Sequence, residues 1–272
     1  MLIFEPGKTD QMKQVVVTRG QQYNVSKGVI KHADLIDNKE RFGTRVMTAN
    51  KRGQAFVLKP NTDLYTKSLA QRTQILYTPD ISQVLFRLQL RPNMRVVESG
   101  TGSGSLSVSL TKAIIPTGHL FTFEFNQDRV GKAKADFKRL GLGDYITVTH
   151  RDVLTDGFLL NAEDEGSDER VTEKSIDAIF IDLPSPEKAI PHCYKILKKR
   201  AIMCNFSPCI EQVQKVSQEM AKLGFYNINT IECLSREIQV SKAGYCPIEP
   251  VKKEEQPKDD GEEATGVGKK RQ

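Results

Sequence analysis

The chain lacks several features that mark membrane and secreted proteins. No run of about 18 apolar residues occurs in its 272 residues, so no membrane-spanning helix is predicted. Residues 1–13 contain no apolar stretch long enough for a secretory signal, and we therefore expect a reducing compartment, cytosol or nucleus. Hydrophobic residues make up only 38% of the chain, below the usual ~45–50%, so we expect a core along part of the length only.

Metal-binding patterns are also missing. The five cysteines include no CxxC pair, and the spacing of Cys204 and Cys209 fits no common zinc motif. The four histidines are scattered along the chain. We therefore predict no metal site and expect the cysteines to be small, buried or half-buried side chains.

Charge and residue composition divide the chain into segments. Residues 1–74 hold 13 Lys and Arg against 6 Asp and Glu, although the whole chain has a net charge of only +6. Short β-type runs between glycines predict a small basic β-domain over residues 1–70. Residues 71–250 are expected to form a second domain, with an acidic, solvated loop insertion over 161–174. The charged tail, 251–272, is predicted to be disordered.

From about Thr78 onward, helix-type and strand-type patterns alternate, which is typical of an α/β fold with a doubly wound parallel sheet. Such sheets bind ligands at the carboxyl ends of their strands, so residues that follow strands are the candidates for function. The predicted strands are 95–98, 120–125, 145–149, 176–182, 201–206 and 226–233, and the predicted helices are 80–90, 105–115, 127–140, 187–197 and 210–223.

The first of these strands runs into a turn with glycines at positions 100, 102 and 104, which lets a ligand approach the backbone closely. Its spacing departs from both the GxxxxGK[ST] triphosphate loop and the GxGxxG dinucleotide loop. Glu98, just before the turn, suits a cationic ligand and would repel a pyrophosphate. Glu124, at the end of the next strand, can accept hydrogen bonds from both hydroxyls of a ribose. S-adenosyl-L-methionine is therefore the predicted cofactor, with a dinucleotide or purely structural glycines as the alternatives.

Two further acids follow later strands. Asp152 would meet the amino group of an adenine ring, or it is a solvated loop residue or helix cap. Asp182 precedes a loop that Pro184 and Pro186 stiffen, and a fixed carboxylate beside a methyl donor suits methylation of a base. Alternatively Asp182 caps the next helix, although Ser185 lies closer to it. The turn at 205–209 either lines a substrate pocket or simply connects a strand to a helix.

Four short motifs stand in order along the chain: RTQILY at 72–77, ESGTGSGS at 98–105, FIDLPSP at 180–186 and FSPCIEQ at 206–212. Together they resemble the catalytic subunits of the eukaryotic tRNA (adenine-58-N1)-methyltransferases. The resemblance implies a class I, Rossmann-like, S-adenosylmethionine-dependent methyltransferase fold behind a small N-terminal β-domain. It implies methyl transfer to N1 of adenosine 58 in the T-loop of tRNA. It also implies a non-catalytic partner subunit, a heterotetramer with two copies of each chain, and a nuclear location.

The same resemblance implies roles for individual residues. The catalytic aspartate of the family corresponds to Asp182. Its cofactor contacts correspond to Leu76, Ser103, Gly104, Ser105, Glu124, Arg129, Asp152 and Val153, to which we add Glu98, Gly100, Gly102 and Asp182. Substrate contacts are expected from Gln74, Tyr77, Pro184, Ser207 and Pro208.

Two other functions stay open at this point. One is a methyltransferase of small molecules or proteins on the same fold. The other is a subunit that has lost catalysis and only binds tRNA. The glycine turn, Glu124 and Asp182 argue for the enzyme, because a subunit without catalysis has no need of them.

Overall fold

The structure, a computed structural model, describes residues 1–6, 12–37, 42–69, 73–160, 170–236, 238 and 240. The contacts between residues divide the chain into two units. Met1–Ser235 form the first, and Arg236–Gln272 form the second, which lies almost entirely outside the described residues. The predicted disordered tail is therefore outside them as well. The division into domains at residue 70 stays a prediction.

Short strands dominate the N-terminal part. Strands β1, β2, β5 and β6 form one antiparallel sheet in the order β2-β1-β6-β5, while β3 and β4 form a separate hairpin. Buried Ile3, Ile30 and Val57 belong to a small apolar core shared by these elements. The elements are β1 (Leu2–Phe4), β2 (Lys13–Gln14), β3 (Gln22–Val25), β4 (Gly28–Lys31), helix α1 (His32–Asp37), β5 (Thr44–Met47) and β6 (Gln54–Leu58).

A parallel five-stranded sheet forms the rest, and it confirms the predicted doubly wound arrangement. Its strands lie in the order β11-β10-β7-β8-β9. The remaining elements, in chain order, are α2 (Thr62–Ser68), α3 (Thr78–Arg87), β7 (Arg95–Ser99), α4 (Ser105–Ile114), β8 (His119–Glu124), α5 (Gln127–Arg139), a 3-10 turn (Gly143–Tyr145), β9 (Ile146–His150), β10 (Ile176–Ile181), α6 (Pro186–Ile196), β11 (Leu197–Asn205) and α7 (Ile210–Lys222).

The strands of this sheet are buried on both faces. Val96 and Ala178 lie in one apolar core, whereas their sequence neighbours Val97 and Ile179 lie in another. Successive side chains of a strand point to opposite faces, so one strand serves both cores. Burial on both sides explains why these strands read as continuous apolar runs in the sequence.

The order of the strands determines where a ligand can bind. From β7 the chain proceeds outward to β8 and β9, then returns to β10 on the other side of β7. In such sheets the carboxyl ends of the two strands that flank the reversal open into a crevice. Here those strands are β7 and β10, which end at Ser99 and Ile181.

Helix α2 connects the N-terminal part to this sheet. Asn61 caps the helix by accepting a hydrogen bond from the Leu64 amide at 2.7 Å. The buried hydroxyls of Thr66 and Ser105 lie 2.9 Å apart, and Tyr65 joins the core that contains Val96. The first turn of α4 is therefore packed against α2.

The prediction of a strand over residues 226–233 was wrong, and one described residue of the predicted insertion at 161–174 is buried. Residues 226–233 form no strand, and Tyr226 is 71% exposed. A strand needs a neighbour for its backbone hydrogen bonds, and this segment pairs with no described strand even though β11 is an edge strand. The insertion at 161–174 is also not solvated throughout, because Val171 is buried and its carbonyl accepts a hydrogen bond from the Leu160 amide. Residues 161–169 lie outside the described residues.

Within the described part of the chain, no helix is both long and apolar enough to cross a bilayer.

Candidate functional site

A cavity of about 460 Å³ opens at the carboxyl edge of the parallel sheet. Its volume falls in the range of ~300–1,000 Å³ that small-molecule sites usually have. The ends of β7, β8, β9 and β10 line it together with the segment before α3. Fourteen predicted site residues lie in this lining: Gln74, Leu76, Glu98, Gly100, Gly102, Ser103, Gly104, Ser105, Glu124, Arg129, Asp152, Val153, Asp182 and Pro184.

The glycine turn is held against the end of β10. The Asp182 amide donates a hydrogen bond to the Ser99 carbonyl at 3.0 Å. A Cβ atom on Gly100 would overlap the Asp182 carbonyl oxygen, and Gly100 has a φ of +95°. Only glycine combines this backbone conformation with so close a contact. The absence of a side chain at position 100 thus lets Asp182 reach the turn.

The segment before α3 reaches the cavity through serines of the same turn. The Thr73 amide donates to the Ser103 hydroxyl at 3.2 Å, and the Ser105 hydroxyl lies 3.5 Å from the Leu76 carbonyl. Gly102 leaves room for Thr73, whose hydroxyl would lie 2.8 Å from a Cβ atom placed there. Residues 73–76 therefore form one wall of the cavity.

Glu124 is an ionised, paired carboxylate. Its Oε1 accepts hydrogen bonds from the Arg129 guanidinium at 2.6 Å and the Asn126 amide at 3.0 Å, and its Oε2 accepts from the Gly102 amide at 3.0 Å. Burial alone would raise the pKa of Glu124, but these bonds outweigh it and the net pKa is lowered. Glu124 thus joins the glycine turn to β8.

Glu98 is buried, with 1% of its surface exposed. Its Oε2 accepts hydrogen bonds from Ser107 at 2.6 Å and from Thr122, its cross-strand neighbour, at 2.7 Å. Burial raises the pKa of Glu98 to about 7; the two hydroxyls oppose the rise, and the charges of Asp182 and Glu124 add to it. None of the described residues forms an ion pair with it. Glu98 is therefore partly protonated near neutral pH.

Asp182 is the unbonded carboxylate of the site. No described residue donates a hydrogen bond to its side chain, and Ser185, not Asp182, occupies the cap position of α6. Desolvation by the surrounding protein raises the pKa of Asp182. The residue is nevertheless exposed to solvent.

Asp152 lines the cavity and also stabilises its own turn. Its carboxylate accepts hydrogen bonds from the Leu154 amide at 3.0 Å and the Thr155 hydroxyl at 3.2 Å. Asp152 therefore lines the cavity and supports a turn; the residues after it form no helix, so it is not a helix cap. Its contact with an adenine amino group stays a prediction.

The charge of the lining is mainly negative. Four carboxyl groups, on Glu98, Glu124, Asp152 and Asp182, face two guanidinium groups, on Arg129 and Arg151. Of the two cations, Arg129 is already paired with Glu124. Such a lining suits a cationic ligand and disfavours a pyrophosphate.

Three predicted residues, Tyr77, Ser207 and Pro208, do not line the cavity. Tyr77 occupies the N-cap position of α3 without a side-chain capping bond, and the Ser207 hydroxyl accepts a hydrogen bond from the Asn205 side chain at 2.7 Å. Their substrate contacts stay a prediction.

The cavity also contains residues that the sequence did not predict. Several of them are direct sequence neighbours of predicted residues, and that adjacency could have identified them. The unpredicted lining residues are Thr73, Ile75, Ser99, Thr101, Leu106, Phe123, Phe125, Arg151, Leu154, Phe180 and Leu183.

Comparison with known sequences gives consistent matches. The family model described as the tRNA methyltransferase complex GCD14 subunit matches residues 53–272. The chain is 42% identical over 228 residues to the tRNA (adenine(58)-N(1))-methyltransferase catalytic subunit trmt61a of Dictyostelium discoideum. It is 37% identical over 245 residues to the catalytic subunit TRM61 of Kluyveromyces lactis. These alignments cover 84% and 86% of this chain but 70% and 60% of the two relatives.

Comparison with solved structures confirms the Rossmann-like methyltransferase fold. A SAM-dependent O-methyltransferase from Thermotoga maritima superposes with a TM-score of 0.74, over 87% of this chain and 82% of that one. The tRNA (m1A58) methyltransferase TrmI from Aquifex aeolicus superposes with a TM-score of 0.68, over 89% and 87%. Both are 24% identical to this chain, so the likeness concerns the fold alone.

The contact at Gly100 leads to a first prediction. Gly100→Ala should lower the free energy of unfolding by more than about 1 kcal/mol, because the new methyl group overlaps the Asp182 carbonyl and the positive φ disfavours alanine. Denaturant unfolding of both proteins measures the change. Gly131→Ala is the control, since it lies within α5 with nothing near its Cβ position and should be neutral or stabilising. Equal stability of Gly100→Ala and the natural chain would contradict the contact.

The buried carboxyl of Glu98 leads to a second prediction. Its pKa is about 7 in the folded chain against an ordinary 4.5, so the folded state holds the proton more tightly. The contribution of Glu98 to the free energy of unfolding is therefore fully present below pH 4.5. It is lost as the pH rises from 4.5 to about 7, by up to ~1.4 kcal/mol per pH unit. Glu98→Gln, which mimics the protonated acid, should therefore gain stability over the natural chain between these pH values and keep the gain above them.

Denaturant unfolding at several pH values tests this, with exposed Glu232→Gln as the control whose difference from the natural chain stays flat. If the difference in stability between Glu98→Gln and the natural chain is the same at every pH from 4.5 to about 7, the Glu98 carboxyl of the folded chain is ionised over that whole range.

Proposed function

The chain belongs to the family of tRNA methyltransferase complex GCD14 subunits, and we propose that it is the catalytic subunit of a tRNA (adenine-58-N1)-methyltransferase. In this proposal it transfers a methyl group from S-adenosyl-L-methionine to N1 of adenosine 58 in the T-loop. One observation carries the assignment of catalysis: the unbonded Asp182 carboxylate stands at the glycine turn, on the rim of a cavity lined with acids.

The residues of the cavity fit the proposed cofactor. The sulfonium and amino groups of S-adenosylmethionine are cations, which matches four lining carboxyl groups against two guanidiniums. Glu124 offers carboxylate oxygens to ribose hydroxyls, and Asp152 lies where an adenine amino group can be met. The glycine turn lets a ligand approach the backbone closely. When bound, this cofactor supplies the activated methyl group.

Asp182 would orient the base rather than deprotonate it. The N1 lone pair of neutral adenine is free, so no strong base is needed before attack. Asp182 accepts a hydrogen bond from the exocyclic amino group and so fixes the direction in which N1 faces the methyl group. It also stabilises the positive charge that develops on the ring as the methyl group is transferred.

Access to adenosine 58 requires the base to leave the folded T-loop, which costs a few kcal/mol. Contacts to the RNA backbone can offset this cost, and the N-terminal part carries suitable cations. Lys27 lies in the β3–β4 turn, and Lys51 and Arg52 lie in the β5–β6 turn. Asn50 joins the two turns by donating to the Lys27 carbonyl at 3.0 Å.

All three cations are exposed, and none forms an ion pair with a described residue. This joined pair of hairpin turns, which we term the basic turns, suits a polyanion such as RNA.

The assembly and its location are part of the same proposal. We infer a non-catalytic partner subunit, two copies of each chain in a heterotetramer, and a nuclear site of action. The family description, which names a complex and a subunit, supports a partner. Between the alternatives, the cavity lining and the free Asp182 favour an enzyme over a subunit that only binds tRNA. The basic turns favour tRNA over a small-molecule substrate.

Catalysis by Asp182 leads to a direct test. Asp182→Ala should abolish methyl transfer to unmodified tRNA while S-adenosylmethionine still binds, because the other predicted cofactor contacts of the lining remain and the side chain supports no other described contact. The assay uses the chain co-expressed with its partner subunit. Radiolabel transfer measures methylation, reverse-transcription stops map the modified base, and calorimetry measures the affinity for the cofactor. Asp144→Ala, at an exposed position in the 3-10 turn, is the control and should keep full activity. Near-normal turnover of Asp182→Ala would refute the assignment.

The basic turns lead to a test of RNA binding. Replacing Lys27, Lys51 and Arg52 together by glutamine should weaken tRNA binding and reduce the slope of log K against log salt by about 2–3, since each phosphate contact contributes ~0.7–0.9. Cofactor affinity should not change. Replacement of the three exposed lysines 132, 134 and 138 of α5 changes the charge equally and is the control. If both triple variants lose the same slope, the effect is one of overall charge and the basic turns have no special role.

A further inference from the structure

The loop that carries Asp182 has few backbone anchors. It runs from the end of β10 to the start of α6, and Pro184 and Pro186 have no N–H to donate. At its start, the Asp182 amide donates to the Ser99 carbonyl at 3.0 Å. The next backbone bond, from the Lys188 amide to the Ser185 carbonyl at 3.2 Å, already belongs to the first turn of α6. Leu183 packs against the core that contains Val97 and Ile179, whereas the Pro184 carbonyl needs a donor from another element.

Gln212 supplies that group. Its Nε2 donates a hydrogen bond to the Pro184 carbonyl at 2.9 Å. A carbonyl oxygen can only accept, so the amide nitrogen of Gln212 must face it. Gln212 lies in the first turn of α7, which follows β11, the neighbour of β10 in the sheet. One side chain thus links the loop after β10 to the helix that follows the neighbouring strand, β11.

This link explains how the loop after β11 affects the cavity. Ser207 and Pro208, which we predict to contact the substrate, are not part of its lining. Pro184, which does line it, is bonded to Gln212 instead. The segment after β11 therefore contacts the cavity wall through a hydrogen bond from α7.

We propose that Gln212 is a positioning residue, which holds Pro184 and thereby the Asp182 carboxylate in place for methyl transfer. This inference rests on the proposed function. With no described side chain bonded to the carboxylate, its position depends on the backbone, anchored by Ser99 before the loop and by Gln212 after it. A shift of about 1 Å in a catalytic group can lower the rate by ~10²-fold.

The bond contributes to position more than to stability. The other half of the amide, Oε1 of Gln212, is buried with no partner among the described residues. A buried polar atom without a partner is unfavourable and offsets the gain from the bond on Nε2. Removal of the amide should therefore loosen the loop without unfolding the chain.

Gln212→Met tests the proposal in the complex with the partner subunit, since methionine keeps the size of the side chain and removes the donor. We expect kcat to fall by about 10- to 100-fold, with the KM for tRNA and the cofactor affinity within about twofold. Gln212→Glu places a carboxylate against the Pro184 carbonyl, and its kcat should fall at least as far. Gln218→Met, at an exposed position on the same helix, is the matched control and should keep full activity.

Amide hydrogen exchange of the same complexes supplies a readout that needs no activity. In Gln212→Met, residues 182–188 should exchange faster, while residues 95–99 and the melting temperature stay unchanged. Unchanged exchange at residues 182–188 overturns the proposal. A fall in kcat that comes with a lower melting temperature and faster exchange throughout the chain overturns it as well, because that result indicates a structural role for Gln212. If the natural complex exchanges as expected but methylates no tRNA, the proposed function fails and the exchange data still decide the role of Gln212.

Discussion

The site depends on one close backbone contact, between the glycine turn after β7 and the end of β10. The strands pair in parallel, with Ser99 opposite Ile181, so Asp182 emerges directly beside Gly100. A side chain at position 100 would overlap the Asp182 carbonyl. This contact joins the two sides of the topological reversal, where ligands of such sheets bind. The cavity, the acids around it and the stiff loop all take their positions from it.

Of the four carboxyl groups that line that cavity, three have clearly different surroundings. Glu98 is buried and bonded by Ser107 and Thr122, which leaves it partly protonated near neutral pH. Glu124 is ionised and paired with Arg129 and backbone amides. Asp182 is exposed and has no described partner. If all three carboxyl groups were ionised and unpaired, their negative charges would repel one another strongly. Partial neutralisation of Glu98 and pairing of Glu124 leave Asp182 available for a substrate.

Substrate recognition and chemistry are assigned to different parts of the chain. The parallel sheet provides the cavity, whereas Lys27, Lys51 and Arg52, which pair with none of the described residues, lie in the antiparallel N-terminal part. Helix α2 connects the two through Thr66 and Ser105, and Ser105 also lies beside Leu76 in the cavity wall. Under the proposed function, contacts that are independent of base sequence hold the RNA, and the acidic cavity selects the cofactor and the base.

Local sequence patterns were sufficient to predict the parallel sheet, the glycine turn and most of the cavity lining. Apolar runs, glycines and acids at strand ends are local signals, and parallel pairing brings the ends of strands together at one edge. These signals failed for residues 226–233, since an alternating pattern does not supply a strand with a neighbour. Tertiary structure alone decided that Gln212 contacts Pro184 while Ser207 and Pro208 stay outside the cavity, and that hydroxyls from α4 and β8 surround Glu98. Those outcomes depend on how helices pack on the sheet, and no spacing along the chain encodes the distance between side chains on different elements.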